Sequence, residues 1–261
     1  KMTNMIGDRG NWNRIPDLSE QMNREAEKRE REEVKSGKKK TEIKEPEIKE
    51  TNSQSRIINA DKYWRIEGVN YNGKTGIYEL SKELIPLANQ DSLAEISKTS
   101  RENNGFYAGD SRLHYAIFKA VKNADNRDVR DFLQENMRAH WIDTLTRIKY
   151  KKSNDEIIHN YKQKDEYSLD GRIVGPDRVI EKRDKKALEI LLGTENIEEI
   201  KDVIQFINST PAYIYRVNNI PENLDERVVR FDAVSDGFYF DCCRYPSYQY
   251  PAFGVREVLN A

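Results

Sequence analysis

The stretch Phe238-Tyr239-Phe240-Asp241-Cys242-Cys243-Arg244-Tyr245-Pro246-Ser247-Tyr248-Gln249-Tyr250 changes character halfway along. On a strand, side chains alternate between faces, so Tyr239, Asp241, Cys243 and Tyr245 point one way and Phe238, Phe240 and Cys242 the other. The second half is irregular, with Tyr245, Tyr248 and Tyr250 set among Pro246, Ser247 and Gln249. Tyrosine mixed with Ser and Asp offers large contact area at low conformational cost, the composition of antibody-like binding surfaces. The candidate ligand-binding set is therefore Tyr239, Asp241, Cys243, Tyr245, Ser247, Tyr248 and Tyr250, joined by Ser235 and Asp236 in the polar turn ahead of the stretch. Phe238, Phe240 and Cys242 are assigned to the core, and Arg244, Pro246, Pro251, Gly254 and Arg256 to the scaffold. Arg227–Phe231 before the stretch and Ala252–Val258 after it read as strands.

Working outward, residues from Arg56 onward follow a folded pattern. Tyr63–Ile66 and Thr75–Tyr78 read as strands about Asn70-Tyr71-Asn72-Gly73, because Asn-Gly is a strong hairpin signal. Helices are expected at Leu84–Leu87, Ser92–Arg101, Arg112–Lys122 and Asp128–Met137; in the third, Leu113, Ala116, Ile117, Ala120 and Val121 recur at helical spacing. Ile142–Tyr150 with Ile157, Ile158 and Tyr161 suggests a second strand pair, and Leu169–Pro176 turn-and-edge material. Lys185–Leu192 and Ile197–Ile207 read as two more helices, and Ala212–Val217 as a short strand. The expected fold class is α+β, its sheet completed by the C-terminus.

The N-terminal 55 residues read differently. A helix over 17–35 has few apolar anchors, and the Ser36–Ser55 segment is a low-complexity linker of Lys, Glu and Ile. The expected organisation is a charged arm over 1–55, mobile or docking a partner, ahead of a folded domain over 56–261. The 261 residues carry 44 Lys and Arg against 45 Asp and Glu. A sequence-independent nucleic-acid binder usually has a basic excess, so no nucleic-acid partner is expected. No apolar run of membrane-spanning length and no leader is read. That points to the cytoplasm, or to a virion or cell surface reached through a partner.

Arg227-Val228-Val229-Arg230-Phe231 at a strand start, the long irregular aromatic segment, and Gly254-Val255-Arg256 near the end resemble the C-terminal part of the formylglycine-generating-enzyme branch of the C-type-lectin fold. Within that branch the segment is most similar to the variable proteins of diversity-generating retroelements, archaeal or viral, over about the last thirty-five residues. The resemblance implies a C-type-lectin-like domain whose variable region, about 231–256, is rewritten by adenine-directed mutagenesis. It also implies a non-enzymatic protein displaying a variable surface to an unknown target, a protein or a cell-surface ligand. Calcium-dependent sugar binders of the wider fold use a Glu-Pro-Asn type loop and a Trp-Asn-Asp motif. Here Glu45-Pro46-Glu47 lies in the linker and Trp-Asn-Asp is absent, so no calcium and no other metal or cofactor is expected.

Other readings remain open on the sequence. A formylglycine-generating-type enzyme would need cysteines spaced to share copper, whereas Cys242 and Cys243 are adjacent and point to opposite sides of a strand. Thiol redox chemistry would prefer a Cys-x-x-Cys. Of the three histidines, His114 is expected to be packed in the core, and His140 and His159 to lie at the surface. A nucleic-acid-binding role is motivated by the runs at 38–40, 149–152 and 183–186, each balanced by nearby acids. The tyrosines could also form a buried cluster closing the fold, which their exposure decides.

Overall fold

In the computed structural model, which describes residues 55–258, Asn72 and Gly73 turn the chain back on itself with φ of 49° and 76°. Two consecutive positive φ values match the right-handed twist of the flanking strands, and Gly73 reaches its value without a Cβ. This loop joins β2 (Tyr63–Tyr71) to β3 (Lys74–Ala88), with Tyr71 opposite Lys74. β1 (Arg56–Asn59) pairs with β2, β12 (Tyr250–Glu257) pairs antiparallel with β3, and β4 (Tyr107–Ala108) closes the sheet in the order β1-β2-β3-β12-β4. The last strand thus lies inside the sheet that the first strands begin.

The expected helix at Leu84–Leu87 is instead the end of β3. Phe253 lies opposite Leu84 and Ala252 opposite Ile85, so backbone pairing to a strand some 170 residues away overrides local propensity. The helices expected after Leu87 form: α1 (Gln90–Glu102), α2 (Ser111–Asn123), α3 (Arg127–Ala139), α4 (Lys185–Leu192) and α5 (Ile197–Asn208), while the one expected over 17–35 lies outside the described residues. Four of these open on a capping side chain: Asn89, Asp110, Asn126 and Asn196 accept from Ser92, Leu113, Val129 and Glu199 backbone N–H groups at 2.8–3.2 Å.

The second sheet runs β7-β6-β5-β10-β11-β9-β8, with β5 (Ile142–Tyr150), β6 (Asp155–His159), β7 (Tyr167–Gly171), β8 (Arg178–Val179), β9 (Ala212–Tyr215), β10 (Asp225–Val234) and β11 (Gly237–Arg244). Its neighbours are antiparallel except β9 and β11, which run parallel. β6 ends at His159, so Tyr161 falls outside the strand pair. The protein over these residues is α+β with two antiparallel-rich sheets and five helices. Side chains from both sheets and from α2, α3, α4 and α5 share one core, including Trp64, Leu80, Val255, Ile117, Leu133, Leu188, Ile204, Phe231 and Phe240. Each such side chain contributes about 1.5–3 kcal/mol by leaving water. The charged arm expected over 1–55 lies outside the described residues, apart from Ser55.

Candidate binding surface

β10 and β11 are joined by the Ser235-Asp236 turn, and their register sets Phe231 opposite Phe240 and Asp232 opposite Tyr239. Phe231, Ala233, Phe238, Phe240 and Cys242 are buried against the core, the alternation read from the sequence. Arg230, Asp232, Tyr239, Asp241 and Cys243 take the other face. Tyr239 stacks on its neighbour on β9, Tyr213, at 5.2 Å, and meets Tyr215 at 4.7 Å. Gly237 makes room for this cluster, because a Cβ there would lie 2.8 Å from the Tyr239 ring.

At Arg244 the chain leaves the second sheet, and by Tyr250 it has entered the first. The connection is pinned. The Gln90 N–H donates to the Pro246 carbonyl at 3.1 Å, and the Tyr248 N–H to the Tyr245 carbonyl at 3.3 Å. Arg230 Nη2 donates to the same Tyr245 carbonyl at 3.2 Å, while its guanidinium lies 4.3 Å from the Tyr250 ring. Arg227 covers Tyr245 at 3.5 Å and Arg244 covers Trp141 at 3.9 Å. Trp141 and Tyr250 stack at 5.4 Å. The segment therefore rests on arginines from β10 and β11, each bringing charge onto an aromatic face.

Beneath it, Arg230 and Asp143 form an ion pair with both side chains fully buried. Arg230 Nη1 and Asp143 Oδ2 have no further hydrogen-bond partner among the described residues. Burial pushes the Asp143 carboxyl up to about 7 against the pull of Arg230.

Exposure divides the candidate residues. Tyr245 and Tyr248 are 50% and 47% exposed, and Ser247, Ser235 and Asp236 are exposed as well. Tyr239, Cys243 and Tyr250 are half-buried. The expectation of an exposed Asp241 is corrected: at 3% exposure it accepts from the Cys243 N–H at 2.9 Å, the Cys243 thiol at 3.1 Å and Arg244 Nε at 3.0 Å. Its carboxylate is already spent on its own strand. Burial, with Asp241 beside it, pushes the Cys243 thiol up to about 12, so it is not a thiolate near neutral pH. The candidates lie along a strip, with Ser235 and Asp236 at the turn and Tyr245–Tyr250 at the other end of β11, roughly 25 Å away at 3.3 Å per residue.

Between these ends is an open groove of about 360 Å³, whose walls include Leu87, Arg138, Trp141, Asp232, Gln249 and Tyr250. Leu87 is 63% exposed at its rim. Burial pushes the Asp232 carboxyl up to about 6. Sequence reading missed Trp141, Asp232, Tyr213 and Tyr215. The alternation of Tyr213 and Tyr215 on a short strand was available as a signal, but nothing local ties Trp141 or Leu87 to a segment more than a hundred residues later.

The expected surface placement of His159 is also corrected. His159 is fully buried, with Nδ1 3.2 Å from Thr146 Oγ1 and Nε2 3.0 Å from the Ile190 carbonyl, beside Asp110 at 3.7 Å. Burial lowers it to about 4. His114 is buried between Phe231 and Phe253, and burial lowers it to about 3; His140 is exposed. Among the described residues, no three His, Cys, Asp or Glu side chains gather as metal ligands, and no helix is long and apolar enough to cross a membrane.

Comparison with protein families, curated proteins and solved structures finds no match to this chain.

Proposed function

We propose that this chain is a non-enzymatic ligand-binding protein whose aromatic strip, centred on Tyr245–Tyr250, engages a protein or cell-surface target. The carrying observation is a contrast: Tyr245 and Tyr248 stand about half exposed, while the backbone and rings beside them are fixed by buried or half-buried arginines. Aromatic side chains held outward on a rigid base lose little freedom on binding, so more of their contact energy appears as affinity. We take the scaffold as C-type-lectin-like and the strip as one diversified by a retroelement. That finer reading is supported by the last strand entering the first sheet beside β3, immediately after the aromatic loop.

Sequencing the gene's surroundings tests it. The expected result is a near-repeat of the codons for about 231–256 beside a reverse-transcriptase gene, with adenines opposite Tyr239, Tyr245, Tyr248 and Tyr250. Copies that vary as often at Phe240, Gly254 and Arg256, which pack or pair within the fold, would refute the division between surface and scaffold.

A further inference from the structure

The arginines beneath the strip are matched one for one by carboxylates. Arg227 pairs with Asp225 at 2.8 Å, Arg230 with Asp143, and Arg244 with Asp241 at 3.0 Å. Asp232 breaks this pattern. It sits on β10 in the wall of the Trp141–Tyr250 groove, and among the described residues no Lys, Arg or His comes within ion-pair distance of it.

The charged and titratable groups around Asp232 do not supply a partner. Arg138 and His140, from the end of α3 and the residue after it, line the same groove. Arg138 Nε instead donates to Asn208 Oδ1 at 3.3 Å, and His140 is exposed. On β11, Asp241 adds like charge, and Arg244, which acts on Asp232 only from beyond ion-pair distance, is committed to Asp241. Removing a carboxylate from water without pairing it is unfavourable, and a cation arriving from outside would offset that cost. The walls favour the same guest. Trp141, Tyr250, Val234 and Leu87 are apolar surfaces suited to the methylene stem of a long side chain, with its charged tip at the carboxylate. At about 360 Å³ the groove is at the small end of ligand clefts, room for one long side chain with its flanking backbone.

Building on the binding-surface reading above, we propose that the target presents a basic side chain, lysine or arginine of a protein, and that this side chain enters the groove and pairs with Asp232. The upward shift of the Asp232 carboxyl to about 6 agrees with an acid that burial has deprived of water, whose shift the Ala233 N–H and the more distant Arg244 offset only in part while Asp241 adds to it.

The test pans a phage-displayed library of random peptides on the full chain, on the Tyr245→Ser/Tyr248→Ser variant and on Asp232→Asn. Peptides enriched on the full chain over the tyrosine variant are expected to share a Lys or Arg. Their affinity should drop about tenfold on Asp232→Asn, and by a similar factor for the full chain between pH 7.5 and pH 5, as the carboxylate takes up a proton. Enriched peptides that share no basic position, or that bind Asp232→Asn as tightly as the parent, would overturn the proposal and leave the binding-surface reading intact. No enrichment on the full chain over the tyrosine variant would overturn both.

Discussion

Replacing Arg230 by Met keeps most of the side chain's stem while deleting the charge that joins the core to the aromatic loop. The fully buried pair with Asp143 is broken, and removing one partner of such a pair usually costs about 3–5 kcal/mol, because the other charge is left uncompensated. The Tyr245 carbonyl loses a donor, worth about 1 kcal/mol, and the Tyr250 ring loses its cation. Protonation of Asp143 relieves part of this, since its carboxyl is pushed up to about 7 even with Arg230 present and must titrate higher without it. The expected net loss near pH 7 is about 3–4 kcal/mol, or a Tm lowered by roughly 6–16 °C for a chain of this size. The loss should grow from pH 6 to pH 8.5. Over that range the parent releases the Asp143 proton to form its ion pair, whereas the variant retains it, so the folded variant binds more protons and weakens as pH rises. Urea unfolding at the two pH values measures both quantities. A penalty below about 0.5 kcal/mol, or one that does not change with pH, would refute the account of Arg230 as the buried support of the loop.

Asp232→Asn should stabilise the protein. The folded-state carboxyl titrates near 6 against about 3.9 unfolded, so its ionisation opposes folding fully above pH 6 and not at all below about pH 4; allowing for solvent at this half-buried position, the gain at pH 7.5 is on the order of 1 kcal/mol and vanishes at pH 4 in thermal melts. Tyr245→Ser/Tyr248→Ser should unfold within about 1 kcal/mol of the parent, whereas Phe240→Ala, in the core, should cost about 3–5 kcal/mol; denaturant midpoints that coincide for the two would mean that the tyrosines are structural. On acidification from pH 6.5 to about 4, the unfolded chain takes up protons that buried His114 and His159 refuse, so stability falls across that window. His114→Leu should show a shallower loss, by up to one proton, when urea midpoints are compared at pH 7 and pH 5.

The sequence by itself determined what short-range chemistry controls. The Asn72-Gly73 hairpin is set by backbone conformation. The amphipathic helices α1, α2, α3, α4 and α5 are set by periodicity, and the inward turn of Phe238, Phe240 and Cys242 by the two-residue repeat of a strand. Tertiary structure decided matters in which distant residues compete. Leu84–Leu87 became strand because β12 supplied backbone partners. Asp241 is taken up by Cys243 and Arg244, two and three residues along its own strand, a local pairing that alternation alone does not reveal, whereas His159 was enclosed by Thr146, Asp110 and Ile190. The groove belongs to this second kind. Its walls come from the ends of β3 and α3, from β10 and from the loop into β12, segments brought together only because the chain crosses from one sheet to the other between Arg244 and Tyr250. Local propensity extends over a turn or a strand, whereas burial and charge pairing are settled by neighbours that sequence order does not reveal.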